Sequence, residues 1–230
     1  MLFYQPQNGY CFNSDSIFLY DFIASFRPHG KVLDVGCGVG VIGLLLARDF
    51  PIDLTLVEKQ GLMAGLAMRN MQANSIGARL VESDFFDFTS EERFDYIVSN
   101  PPFYHADVVQ SENEHIHACR YNTHLPIAPF FEKVKSLLRP RGHFIFCYDA
   151  SQMGDLMHHL DYVGLRVEAL RFVHSKKDRP AKLVMVHARR ESKARTTILP
   201  PLIVFDGDTY GEEARAIFKN ARTHTLKCQI

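Results

Sequence analysis

Lys31 to Gly43 reads Lys-Val-Leu-Asp-Val-Gly-Cys-Gly-Val-Gly-Val-Ile-Gly, and the reading of the whole chain turns on it. Val32, Leu33 and Val35 form a short apolar run, as a strand buried on both faces of a parallel sheet requires. Gly36, Gly38 and Gly40 follow at alternate positions, and Val41, Ile42, Leu44, Leu45, Leu46 and Ala47 then supply the apolar face of a helix. Strand, glycine turn and helix make a nucleotide-cofactor loop, because glycine lets the backbone approach a ligand that any Cβ would hold off.

Two cofactors fit that loop. Gly38-x-Gly40-x-x-Gly43, with Glu58 twenty residues after Gly38, matches the dinucleotide fingerprint and permits NAD. Asp34, two residues before the first glycine, speaks for the other. A carboxylate there faces the middle of the ligand and repels a pyrophosphate, which wants amide N–H groups and positive potential. It attracts a cation, and S-adenosylmethionine carries a sulfonium and an ammonium and no phosphate.

Working outward, the chain of 230 residues, 47% of them hydrophobic, is long enough to bury one good core, and a single domain over 1–230 is expected. Within it, 1–29 reads as an N-terminal hairpin and helix cap, 30–190 as the cofactor-binding core, and 191–230 as a basic C-terminal extension. The five cysteines are scattered with no Cys-x-x-Cys, which points to free thiols in a reducing cytoplasm. No apolar run reaches membrane-spanning length, and no signal peptide is read at the N-terminus. The formal net charge of zero conceals an asymmetry. Residues 1–165 carry 12 Lys and Arg against 19 Asp and Glu, whereas 166–230 carry 14 against 7. A basic part beside a cofactor half suits either a solvated surface or a polyanion such as RNA.

Before the loop, residues 5–13 read as turns and a short hairpin, and Ser14 or Asp15 as the cap of a helix running to about Phe26. Asp15 is either that cap or a contact for the ammonium of a methionine moiety. After the loop, Asp53 to Val57 is a second strand, with Glu58 at its carboxyl end, where a doubly wound sheet binds ligands and a carboxylate accepts from both ribose hydroxyls. Ala78 to Val81 is a third strand followed by Asp84 and Phe85, placed to accept from an adenine amino group and to cover its ring.

The fourth strand, Phe94 to Ser99, ends in Asn100-Pro101-Pro102-Phe103-Tyr104. Two prolines fix two φ angles and remove two donors, so an asparagine and two aromatics stand on a stiff turn. Residues 105–125, rich in His, Asn and Glu, read as a lid over the substrate containing Arg120. His115-x-His117-x-Cys119 lacks the usual zinc spacing, and no metal is expected. Helices at 126–138 and 153–163, strands at 143–148, 167–173 and 183–187, and a terminal helix at 209–219 follow. Between the last two strands lies a basic tip with Lys176, Lys177 and Arg179.

The glycine loop with Asp34, then Glu58, Asp84-Phe85 and Asn100-Pro101-Pro102-Phe103, resembles in content and order the class I S-adenosylmethionine-dependent methyltransferases, over roughly residues 10 to 190. The resemblance implies a Rossmann-like, doubly wound α/β fold with a seven-stranded sheet, mostly parallel with an antiparallel last strand. Asn-Pro-Pro-aromatic resembles the branch that methylates planar amino nitrogens. Gln5-Pro6, Gly9-Tyr10, Phe12-Asn13 and Asp15-Ser16 look most like the bacterial tRNA(Val) adenine methyltransferases.

The cofactor set implied is Asp15, Asp34, Gly36, Cys37, Gly38, Gly40, Glu58, Lys59, Asp84, Phe85 and Asn100. The catalytic set is Asn100, Pro101, Pro102 and Phe103, and the substrate set Tyr104, Arg120, Lys176, Lys177 and Arg179. Asn100 and the Pro101 carbonyl each accept one N–H of the substrate amino group, and Phe103 or Tyr104 stacks on the base. The expected substrate is RNA, tRNA adenine above ribosomal guanine or a protein glutamine, and the expected enzyme a cytoplasmic monomer.

Overall fold

The computed structural model describes residues 1–7, 11–101 and 126–228. Pro102, Phe103, Tyr104, Arg120 and the expected lid over 105–125 lie outside the described residues, as do Gly9 and Tyr10.

The chain opens with β1 (Leu2–Pro6) and α1 (Ser14–Ala24), then alternates through β2 (Gly30–Val35), α2 (Val41–Asp49), β3 (Ile52–Glu58), α3 (Gly61–Ala73), β4 (Arg79–Glu82) and β5 (Phe94–Ser99). The second half runs α4 (Ile127–Leu137), β6 (Leu138–Asp149), α5 (Met153–Tyr162), β7 (Leu165–His174) and β8 (Ala181–Arg190). Short strands β9 (Thr197–Ile198), β10 (Leu202–Ile203), β11 (Phe205–Asp206) and β12 (Thr209–Tyr210) lead to α6 (Glu212–Ala221) and β13 (His224–Cys228).

The main sheet has the order β10-β7-β8-β6-β5-β2-β3-β4, with β9 also on β7. Its seven long strands are the expected sheet: β4, β3, β2, β5 and β6 are parallel, and β8 runs antiparallel to both β6 and β7. The sheet is nine-stranded because β9 and β10 extend its β7 edge. The sequence around these two short strands carries no periodicity that would announce this pairing.

Continuous apolar runs in β2, β3, β5 and β6 match burial on both faces, with Leu33, Leu56, Ile97 and Ile145 all inaccessible. α1 is buried over Ser16–Tyr20, Phe22 and Ile23, and a phenylalanine layer of Phe130, Phe131, Phe144 and Phe146 fills the space beneath α4. The strand order reverses across β2 and β5, so their carboxyl ends border the crevice where open α/β sheets bind ligands.

The termini differ from the expected hairpin. β1 pairs in parallel with β13, Leu2 opposite His224 through Pro6 opposite Cys228. The other edge of β1 is satisfied by two asparagines one helical turn apart on α3. Asn70 accepts from the Tyr4 amide at 2.7 Å and Asn74 from the Leu2 amide at 2.9 Å, and each donates back to the same residue's carbonyl. Side chains at i and i+4 stand one above the other on a helix, so they substitute for a neighbouring strand. The terminal helix begins at Glu212, three residues after the expected start, because Thr209 and Tyr210 pair with Asp206 and Phe205. Leu202, Ala214, Ile217 and Ala221 are buried, so the part of the expected extension from 202 to 221 packs into the core.

Candidate active site

Four strand ends and one helix start converge. At the end of β2, Gly36 and Gly38 have φ of +65° and +56°, and a Cβ built on either meets nothing within 4 Å. The loop therefore presents bare backbone to open space, a cradle that side chains would fill. Gly43 is required for the opposite reason. Its Cβ would come within 2.7 Å of Leu56 Cδ2 and 3.0 Å of Asp34 Oδ2, so the glycine lets α2 lie directly on β2 and β3.

Asp34 is placed differently from the expectation. Its carboxylate turns beneath the loop, 1% exposed, with Oδ2 accepting from the Gly43 amide at 2.9 Å. Burial pushes its pKa up to about 7; the Gly43 amide opposes that rise and the Glu58 charge adds to it. In this position it shapes the glycine loop. Cys37 also serves the turn: its amide and that of Gly36 both donate to the Val57 carbonyl, at 3.1 and 2.9 Å. Burial, with Asp34 and Glu58 nearby, raises the Cys37 thiol well above its ordinary range. Gly40 caps α2 at φ +84°, its amide donating to Cys37 O.

At the end of β3, Glu58 Oε2 accepts from the Gly38 amide at 2.8 Å and Oε1 from the Gln60 amide at 2.9 Å. Burial raises its pKa, and these amides pull the other way. With the Lys59 amide as a third backbone donor, the carboxylate has used three of about four acceptor sites, so it holds the loop and keeps acceptor capacity for one further donor. Lys59 reaches Asp84 Oδ2 at 4.0 Å, both side chains about half exposed. Such a pair contributes ~0–1 kcal/mol and leaves Asp84 free to turn to a ligand. Asp84 Oδ1 accepts from the Phe86 amide at 2.9 Å. Phe85, expected to cover an adenine, is turned inward. It is 7% exposed, edge-on to Phe130 at 5.4 Å, with the Lys133 ammonium 5.6 Å from its ring centre.

Asn100 stands at the end of β5, half-buried, with Pro101 following and restricting its backbone to extended conformations. Ser99 Oγ donates to Val35 O at 2.9 Å and laces this end to the glycine loop. Asn100 Nδ2 donates to Ser16 Oγ at 3.0 Å, and its Oδ1 accepts from Cys147 Sγ at 2.9 Å. Sequence reasoning missed both partners. Ser16 adjoins a residue already singled out, but Cys147 is one apolar-looking position near the end of a strand. The cap of α1 is Asn13, one residue before the expected candidates, its side chain accepting from the Asp15 amide at 3.1 Å. Asp15 itself accepts from Asn13 Nδ2 at 2.9 Å, and burial raises its pKa.

The basic residues of the C-terminal third separate into two groups, because β8 runs against its neighbours. Leu183 at its start is opposite Asp149 at the end of β6, and Arg189 is opposite His143 near the beginning. The turn with Lys176, Lys177 and Arg179 therefore lies at the same sheet end as Asn100, Lys176 with an exposed partner in Asp208 at 3.4 Å. Arg189 and Arg190 lie at the other end, tied to the carbonyls of Arg141 and Leu138 at 2.8 Å. Among the described residues, no cluster of three His, Cys, Asp or Glu could hold a metal, and no helix is long and apolar enough to cross a membrane.

The chain is similar to known proteins. The methyltransferase small domain model matches residues 14–153. A tRNA1(Val) (adenine(37)-N6)-methyltransferase of Pedobacter heparinus is 28% identical over 173 residues, covering 73% of this chain and 72% of that protein. A ribosomal RNA small subunit methyltransferase C of Actinobacillus pleuropneumoniae is 43% identical over 89 residues, 38% of this chain; the matched stretch spans 27% of that longer protein. A T. thermophilus 16S rRNA methyltransferase solved with AdoMet and guanosine superposes with a TM-score of 0.57 at 21% identity, over 79% of this chain and 44% of that one.

Proposed function

Since the chain belongs to the methyltransferase small domain family and draws its methyl group from S-adenosylmethionine, we propose that the acceptor is an exocyclic amino group of a nucleobase in RNA, the adenine 6-amino group of a tRNA. The observation that carries this is Asn100 on its proline corner, at a strand end laced to an open glycine cradle.

The cradle fits the donor. Gly36 and Gly38 leave room for it, Glu58 has acceptor capacity for its ribose, and Asp84 can accept from its adenine amino group. The buried charge of Asp34 and Glu58 suits a cation and opposes a pyrophosphate. Once bound, S-adenosylmethionine supplies an electrophilic methyl on a sulfonium.

Everything else falls to the chain's own residues. An exocyclic amino nitrogen is a weak nucleophile while its lone pair is delocalised into the ring. Asn100 Oδ1, which keeps a lone pair beside the Cys147 contact, and the Pro101 carbonyl each accept one of its N–H bonds. That geometry favours a pyramidal nitrogen and stabilises the positive charge developing on it, so the interaction strengthens toward the transition state. No strong base is needed first, because the methylated nitrogen is acidic and sheds its proton afterwards.

Lys176, Lys177 and Arg179 provide positive charge for a phosphate backbone at the same end of the sheet as Asn100. A base must leave its stack to enter, which suits an unpaired loop nucleotide. The names of the Pedobacter and Actinobacillus relatives support RNA, and the longer aligned share of the first supports tRNA.

The test is labelled methyl transfer into separate tRNA, ribosomal RNA and protein fractions, followed by nucleoside mass spectrometry. N6-methyladenosine in tRNA is expected. Methyl on guanine N2 in ribosomal RNA, or on glutamine in protein, would overturn the assignment.

A further inference from the structure

The Asn100 carboxamide does not stand alone on its corner. It bridges two side chains from elements far away in the chain, Ser16 in the first turn of α1 and Cys147 near the end of β6. Both partners are buried, Ser16 at 4% and Cys147 at 0% exposure. A carboxamide has two ends of equal size and opposite chemistry, an acceptor and a double donor. On a rigid backbone, rotation of the amide by half a turn would exchange them at no steric cost. The two partners remove that freedom. A protonated thiol is a donor and a poor acceptor, so it selects the oxygen, and the Ser16 hydroxyl can accept from the nitrogen. Burial, and after it the nearby Asp15 charge, raise the Cys147 thiol well above its ordinary range, so it keeps its proton.

We propose that Ser16 and Cys147 are positioning residues that fix which end of the Asn100 carboxamide is the oxygen, and thereby set the preference for an amino group over a carbonyl at the acceptor site. The proposal rests on the reading of Asn100 as the residue that grips the acceptor. With the oxygen pinned beside Cys147, its remaining lone pair seeks an N–H. With the amide reversed, that place would offer an N–H and favour a keto oxygen. Preorganisation also matters for rate, since an acceptor free to rotate must be ordered again in every turnover.

The test compares Ser16→Ala, Cys147→Ala and Cys147→Ser in steady-state methyl transfer, alongside the side-chain amide resonances of Asn100 in 15N-labelled protein without substrate. Ser16→Ala and Cys147→Ala are expected to lower kcat roughly 10- to 100-fold, with KM for RNA and affinity for S-adenosylmethionine near wild type. They are also expected to speed solvent exchange of the Asn100 amide protons. Cys147→Ser, which keeps a donor, should recover most of the lost rate and the slow exchange.

Wild-type kcat and unchanged Asn100 resonances in folded Cys147→Ala would overturn the proposal, as would a Cys147→Ser protein no better than Cys147→Ala. If the wild-type protein transfers no methyl to RNA, the functional reading fails, while the amide resonances still decide whether the clamp exists.

Discussion

The two halves of the site are built by different means. The glycine loop closes on groups close in sequence: Asp34 reaches Gly43 nine residues on, and Glu58 reaches Gly38 across twenty. The Asn100 corner is held from afar, by Ser16 at a separation of 84 and Cys147 at 47. The first half is closed within one strand–helix–strand stretch. The second exists only once α1, β5 and β6 have come together. On the proposed reading, the donor side is closed within that stretch, whereas the acceptor side depends on the tertiary fold around it.

The largest effect that can break this contrast is on turnover. Asn100→Ala should reduce kcat by at least ~100-fold, the cost of losing one preorganised partner of a developing charge. Initial rates of labelled methyl transfer measure it, and a rate within a few-fold of wild type would remove Asn100 from the chemistry.

The contrast also explains what was legible in the sequence. Strand, glycines, helix and the acid after the second strand follow from residue type at short spacing, so the glycine loop and the place of Glu58 at a strand end could be read directly, whereas the parallel sheet came from the family resemblance. The direction of the Asp34 carboxylate could not, because it depends on how closely Gly43 lets α2 approach. Phe85 was placed against a ligand because aromatic character does not say which way a ring turns, and Phe130 and Lys133 claim it. Ser16 and Cys147 left no pattern at all. Nor did the pairing of β1 with β13, which joins positions 222 apart, or the bonding of the other edge of β1 by Asn70 and Asn74, which read as ordinary helix residues.

A smaller effect tests the two ends of the sheet. Joint alanine substitution of Lys176, Lys177 and Arg179 should raise KM for RNA about tenfold and flatten the log–log salt dependence of RNA binding by about 2, at roughly 0.7 per charge for single-stranded RNA. The same treatment of Lys193 and Arg195, beyond the end of β8 remote from Asn100, should change little. Equal losses from both would mean that RNA is not confined to the Asn100 end.

The smallest effect is on stability. His143 and His187 contact each other through Nδ1 and Nε2 at 2.8 Å, and burial lowers both to about 4. Unfolded, each titrates near 6.5. Between roughly pH 4 and 6.5 the unfolded chain therefore binds more protons, and this pair's contribution is lost as pH falls through that window. Asp34, raised to about 7, acts in the opposite sense: its contribution is full below the unfolded carboxylate range and is lost as pH rises toward 7. The melting temperature of His187→Leu should thus vary less with acidification than that of wild type. Parallel curves for the two proteins would contradict the depressed values.

The division between a donor half and an acceptor half is tested most directly by calorimetric titration of S-adenosylmethionine into Asn100→Ala and Glu58→Gln. In Glu58→Gln one oxygen becomes an NH2 facing the backbone N–H of Gly38 or Gln60, so the loop loses an acceptor it uses. Binding within about twofold of wild type in Asn100→Ala, and weakened about tenfold or more in Glu58→Gln, is the predicted result, a tenfold loss corresponding to about 1.4 kcal/mol. Wild-type binding in Glu58→Gln with lost binding in Asn100→Ala would contradict it.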